Sequence, residues 1–127
     1  SDRDAKITGA STLSILCKRA LNFIGEPSCV TFRKNDFLSL GDRPDAIEGL
    51  TFRNLSDLAI WVNLLKGGER DFLYQGKSQV FFRWHPESIG AQGVGVLDDR
   101  EKFCRAVGRA YPAAAAVERP QLYIGAI

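Results

Sequence analysis

The chain has 127 residues, of which 45% are hydrophobic and 25% charged, and its seventeen Lys and Arg against fifteen Asp and Glu leave a formal net charge of +2. This is the composition of one ordinary globular domain, long enough to close a core. No apolar run reaches the roughly 18 residues that a membrane-spanning helix needs, and so mild a charge excludes any argument for nucleic acid or membrane from charge alone. The highly charged opening, Ser1 to Lys6, lacks the apolar core of a signal segment, so the chain reads as something other than a precursor. The three cysteines, Cys17, Cys29 and Cys104, are odd in number and form no C-x-x-C pair. They argue against a disulfide framework and for an intracellular, reducing compartment, cytoplasm or nucleus.

Residues 1–10 read as a loose polar segment. Leu13, Leu16, Cys17, Ala20, Leu21 and Ile24 then recur at helical spacing. They predict a helix capped by Thr8 or Ser11 and stopped by Gly25 and Pro27, with Cys17 packed in its apolar stripe. Cys29–Lys34 alternates Val30 and Phe32 against Thr31 and Arg33, which is strand-like. Asn35-Asp36 is a turn and Phe37–Leu40 a return strand. A loop follows at Gly41–Asp45, then a short strand at Leu50–Arg53. Asn54 or Ser56 caps a second helix whose residues Leu58 to Leu65 are apolar nearly all round.

Asp71–Tyr74 and Gln79–Trp84 form a predicted hairpin across Gln75-Gly76-Lys77-Ser78. Asp98 and Glu101 have the spacing of a capping box before a third helix that carries Phe103, Ala106, Val107, Ala110 and Tyr111 and ends at Pro112. Residues 112–127 read as a C-terminal extension: a short turn or linker at Ala113–Val117, then an apolar terminal strand at Gln121–Ile127. Together these predict a single α+β domain, a mostly antiparallel sheet of short strands with three helices packed on it.

The densest chemistry lies in Gln79–Pro86, Q-V-F-F-R-W-H-P, which holds the only histidine. Two shorter echoes precede it, Thr31-Phe32-Arg33 and Thr51-Phe52-Arg53. Alternation puts each phenylalanine and its arginine on opposite faces. In one sheet Arg33, Arg53 and Arg83 would form a basic row, with Lys34, Lys77 and His85 near its ends. Phe81 or Trp84 would offer a stacking surface. That pattern suits RNA or single-stranded DNA held by a non-enzymatic assembly protein, a role of the viral coat, nucleocapsid or suppressor type. It equally suits an amphipathic sheet whose phenylalanines are core and whose arginines are solvated or paired.

A second expectation is a small enzyme in which His85 works as acid or base, with Cys104 or Cys29 as nucleophile and Asp98, Asp99 or Glu87 as orienting group, although no spacing brings these together. A third is a protein-binding adaptor. Gly90, Gly93 and Gly95 precede the third helix in the wrong order for a dinucleotide or phosphate loop, and Asp98 and Asp99 at the helix start disfavour an anion there. Asp42, Asp45 and Glu48 share a loop without EF-hand spacing and read as a solvated acidic loop. No metal or cofactor is expected. The apolar helix at Leu58–Leu65 and the strand at Gln121–Ile127 each suit either a central place in the fold or self-association.

Overall fold

Leu13, Leu16 and Cys17 form the wall of the hydrophobic core in the computed structural model, which describes residues 3–65, 68–77, 86–87, 95–115 and 122–123. They belong to α1, Gly9–Arg19. Thr8 is its N-cap: its Oγ1 accepts the backbone N–H of Ser11, which satisfies one of the donors a helix start leaves open. The helix stops before Gly25. Ala20 takes a left-handed conformation at φ 44° and returns its N–H to Leu16 O. Leu21, expected in the stripe, is therefore turned out to solvent, and Ile24 is only half-buried.

Two further helices complete the core. The second long helix, α3, spans Ser56–Leu64 and buries Leu58, Ala59, Trp61 and Val62. The longest, α4, spans Val96–Ala110 and buries Phe103, Ala106 and Val107 at the expected spacing. Ile47, Phe52, Leu55 and Leu65 fill the space between them. Each fully buried Leu or Phe here contributes roughly 1.5–3 kcal/mol by leaving water. The apolar circumference of α3 is thus used inside the chain, with Ile60 and Leu64 also packed on the core. Asn63, its one polar residue on the inner side, donates its amide to the carbonyls of Pro44 and Ala46.

Strands are short and antiparallel. β1 (Ala5–Ile7) lies between β4 (Phe72–Tyr74) and β5 (Leu122–Tyr123), with Ile7 opposite both Phe72 and Leu122. The segment expected to be loose thus supplies a middle strand, because Lys6 and Ile7 are paired on both sides and Ala5 on one. Lys6 and Asp71 add an ion pair of 2.7 Å along the β1–β4 edge. A second ribbon joins β2 (Ala46–Ile47) to β3 (Leu50–Thr51). Its turn residues Glu48 and Gly49 both have positive φ, 50° and 76°, the geometry of a tight two-residue hairpin. Two small antiparallel sheets with the three long helices make an α+β fold.

Three local expectations are corrected. Phe37–Leu40 is no return strand: Lys34–Leu38 forms a short helix, α2, and Pro27–Cys29 a single 3-10 turn. Asp36 and Phe37 both donate backbone N–H groups to Arg33 O, and Asp36 is anchored by Arg70 at 2.9 Å. That long-range ion pair could not be read from the local alternation. The capping box at Asp98 does not form, because α4 begins earlier, with Gly95 as N-cap at φ 73°. Asp98 and Asp99 instead lie in the first turn, where carboxylates favour the positive helix end. Asn54 does not cap α3; its backbone and side-chain N–H groups bind Asp99 and tie α3 to α4. Past Tyr111, Pro112–Ala115 form the short extra turn, α5. The second hairpin arm at Gln79–Trp84, the glycine stretch ahead of Gly95 and most of the terminal strand lie outside the described residues.

Candidate functional site

The T-F-R echoes do not share a sheet. Arg33 is the residue before α2, with extended backbone at φ −73° and ψ 131°, and Lys34 is the first residue of that helix. Arg53 lies just beyond β3, which ends at Thr51. Lys77 lies in the turn after β4, where Gly76 N–H is held by Asp4. Arg33 and Lys34 are therefore neighbours, whereas Arg53 and Lys77 stand on other segments. Phe81, Arg83, Trp84 and His85 lie outside the described residues. The expected arginine row on one sheet face is not formed by Arg33 and Arg53, since neither lies in a strand.

The two described phenylalanines of the echoes have opposite fates. Phe52 is 2% exposed and meets Phe103 edge-on at 5.4 Å, with Lys102 Nζ over its other side at 5.4 Å. Alternation holds there: Phe52 points in and Arg53 out. Phe32 is 41% exposed. Its ring stacks on Phe37 at 5.3 Å with 24° between planes, and lies 6.1 Å from Trp61. Trp61 beneath it is buried and donates its indole N–H to Gly25 O. Phe32 is thus a half-open aromatic face on a fixed support, immediately before two cations. Sequence alternation assigned it to the core, and no local signal marks it as open. Its exposure follows from the turn of the chain into α2.

Charge pairing separates the cations into two groups. Lys6, Arg43, Arg70, Arg105 and Arg109 each meet a carboxylate, those of Asp71, Asp45, Asp36, Glu101 and Glu48. Lys102 donates to Thr51 O. Arg33, Lys34, Arg53 and Lys77 are exposed and make no ion pair among the described residues. The acidic loop is largely neutralised by its neighbours, Asp45 by Arg43 and Glu48 by Arg109. A shallow groove lined by Asp98, Glu101, Lys102, Arg105 and Arg109 runs along the outer face of α4; Arg105 pairs with Glu101 inside it, while Arg109 reaches out to Glu48.

Of the two cysteines in the enzyme reading, Cys104 is a slow nucleophile near neutrality. Burial pushes the Cys104 thiol above its ordinary value, so less of it is thiolate at neutrality. Cys17 is 7% exposed within the core and is likewise raised by burial. No helix among the described residues is long and apolar enough to cross a membrane. No protein-family model matches the chain, and no curated protein or solved structure matches it.

Proposed function

We propose that the chain is a non-enzymatic binding protein that holds RNA or single-stranded DNA, using exposed cations for the phosphates and an open aromatic ring for a base. The observation that carries this reading is the run Phe32-Arg33-Lys34. A half-exposed ring, backed by Phe37 and Trp61, stands next to two cations with no ion pair among the described residues. Base stacking on an aromatic side chain is worth about 1–3 kcal/mol and tolerates any sequence. Arg53 and Lys77 would extend the phosphate contacts, and Phe81, Arg83, Trp84 and His85 keep the expected roles of stacking and charge.

The test is fluorescence anisotropy of a labelled single-stranded RNA at two salt concentrations. If Arg33, Lys34, Arg53 and Lys77 each neutralise one phosphate, the log–log salt slope is about −3, a loss of roughly fifty-fold between 50 and 200 mM. The Phe32→Ala variant should bind some 5- to 100-fold more weakly, and Arg33→Ala with Lys34→Ala should flatten the slope. Affinity that does not change with salt removes this reading. A protein-binding adaptor is then the alternative, supported by the solvent-facing Leu38, Leu73 and Leu97, which are 61%, 61% and 76% exposed.

A further inference from the structure

We propose that Cys17 and Cys104 form a redox-responsive pair, which closes to an intramolecular disulfide between α1 and α4 when the chain meets a hydroperoxide. The two residues are 87 positions apart in sequence, yet Cys17 Sγ lies 3.8 Å from the Cys104 carbonyl oxygen. A Cβ placed on Gly108, one helical turn beyond Cys104, would come within 3.9 Å of the same sulfur. Cys17 therefore rests against the turn of α4 that runs from Cys104 to Gly108. The Cys104 thiol in turn lies near the backbone of Ala20, at the end of α1 and less than one turn past Cys17. Both thiols sit on the same seam. Small residues on each side, Gly108 on α4 and Ala20 just past the end of α1, favour the close packing of the two helices that a disulfide requires. All three cysteines are free in this structure.

The half-buried Cys104 is the more accessible of the two and meets the oxidant first. Its thiolate attacks one oxygen of hydrogen peroxide, the O–O bond breaks, and the other oxygen leaves as water after taking a proton. Cys104 is then a sulfenic acid. The Cys17 sulfur attacks the Cys104 sulfur, the S–S bond forms, the S–O bond breaks, and a second water leaves. Two thiols lose two electrons and two protons, and one peroxide becomes two waters. Burial of both thiols makes the reaction slow near neutrality, as befits a latch closed by sustained oxidation rather than a fast sensor. The bond would tie the first helix to the last long one across nearly the whole core. Cys29 lies apart, exposed on the 3-10 turn beside Ser28.

The experiment treats the whole chain with hydrogen peroxide, alkylates the remaining thiols and maps the peptides by mass spectrometry. The expected product has lost two hydrogens, joins the Cys17 and Cys104 peptides, and carries an alkylated Cys29. Closing so long a loop should raise the thermal midpoint by on the order of 10 °C, reversibly with dithiothreitol. Cys29→Ser should keep both effects. Cys104→Ser, at a half-buried position that tolerates the change, should lose both. Bonds through Cys29, chains linked to one another, over-oxidation of Cys104 without a cross-link, or an unchanged shift in Cys104→Ser would each overturn the assignment.

Discussion

Asp71 and Asp57 show how similar side chains acquire opposite behaviour from their surroundings. The hydrogen bond and ion pair from Lys6 hold the Asp71 carboxyl below its ordinary 3.8, with help from Gly9 N–H. A depressed carboxyl stabilises the fold above its unfolded value, and that contribution is lost as pH falls through the lower folded value. Burial pushes Asp57 the other way, above 3.8, although Asn22 and the Leu58 N–H donate to it. Its folded state favours the neutral acid, so its contribution is present below the unfolded value and lost as pH rises through the raised one. Urea unfolding of Asp71→Asn and Asp57→Asn from pH 2 to 7 should therefore give difference curves of opposite slope. Relative to the parent, Asp71→Asn falls as pH rises, by up to about 1 kcal/mol for so exposed a pair. Asp57→Asn gains over the same range. Curves sloping in the same direction would show that one of the two environments has been misassigned.

At the scale of elements, α1 and α4 were legible because each presents a sustained 3.6-residue stripe to the core, and α3 because its apolar run is nearly continuous. Their ends were less so. The helix α1 stops at a left-handed Ala20, where the sequence offers a more obvious stop at Gly25. The helix α4 starts at Gly95, ahead of the carboxylates that mimic a capping box. The five residues of α2 form too short a helix to persist alone. Its support is the Asp36–Arg70 ion pair, and Arg70 also donates to Leu64 O at the end of α3. Arg70→Ala should therefore loosen α2 before anything else. Hydrogen exchange of the Ser39 and Leu40 amides, bonded to Asn35 O and Phe37 O, is expected to quicken while the amides of α4 keep their protection. Equal quickening in both would mean that Arg70 supports the whole core rather than one element.

At the scale of the molecule, β1 couples the start of the chain to its middle and its end. Ala5–Ile7 pair with Phe72–Tyr74 on one side, Lys6 and Ile7 pair with Tyr123 and Leu122 on the other, and the chain passes from Ile7 through the Thr8 cap into α1. Removing residues 1–7 should leave both neighbouring strands without their ladder partner and expose the start of α1. The expected result is a broadened, less cooperative thermal transition together with a lower midpoint. A sharp transition at the parent temperature would show that the three-stranded sheet adds nothing to the core helices. The Phe32-Arg33-Lys34 surface belongs to this scale too, because its ring is seated between Phe37 of α2 and Trp61 of α3, residues distant in sequence from one another.

What the sequence determined by itself is what depends on neighbours a few residues away. This covers the helical stripes, a cap at Thr8 or Ser11, the burial of Cys17, the opposite faces of Phe52 and Arg53, and the α+β class. Hydrophobic periodicity states which face must leave water, and that does not require knowing the partner. The tertiary structure alone decided what depends on contacts far along the chain. Arg70 supports a helix at Lys34–Leu38 where the sequence suggested a tight turn and a return strand. Pairing on both edges turned Ala5–Ile7 from a loose segment into a middle strand. The three long helices absorbed the apolar surface of α3 that could equally have served a second subunit. The candidate site divides along the same line. The cations and the aromatic of Thr31–Lys34 stand in the sequence, but that Phe32 is open, that the nearby Asp36 is taken by Arg70, and that Arg33 and Lys34 make no ion pair among the described residues are set only by the tertiary arrangement.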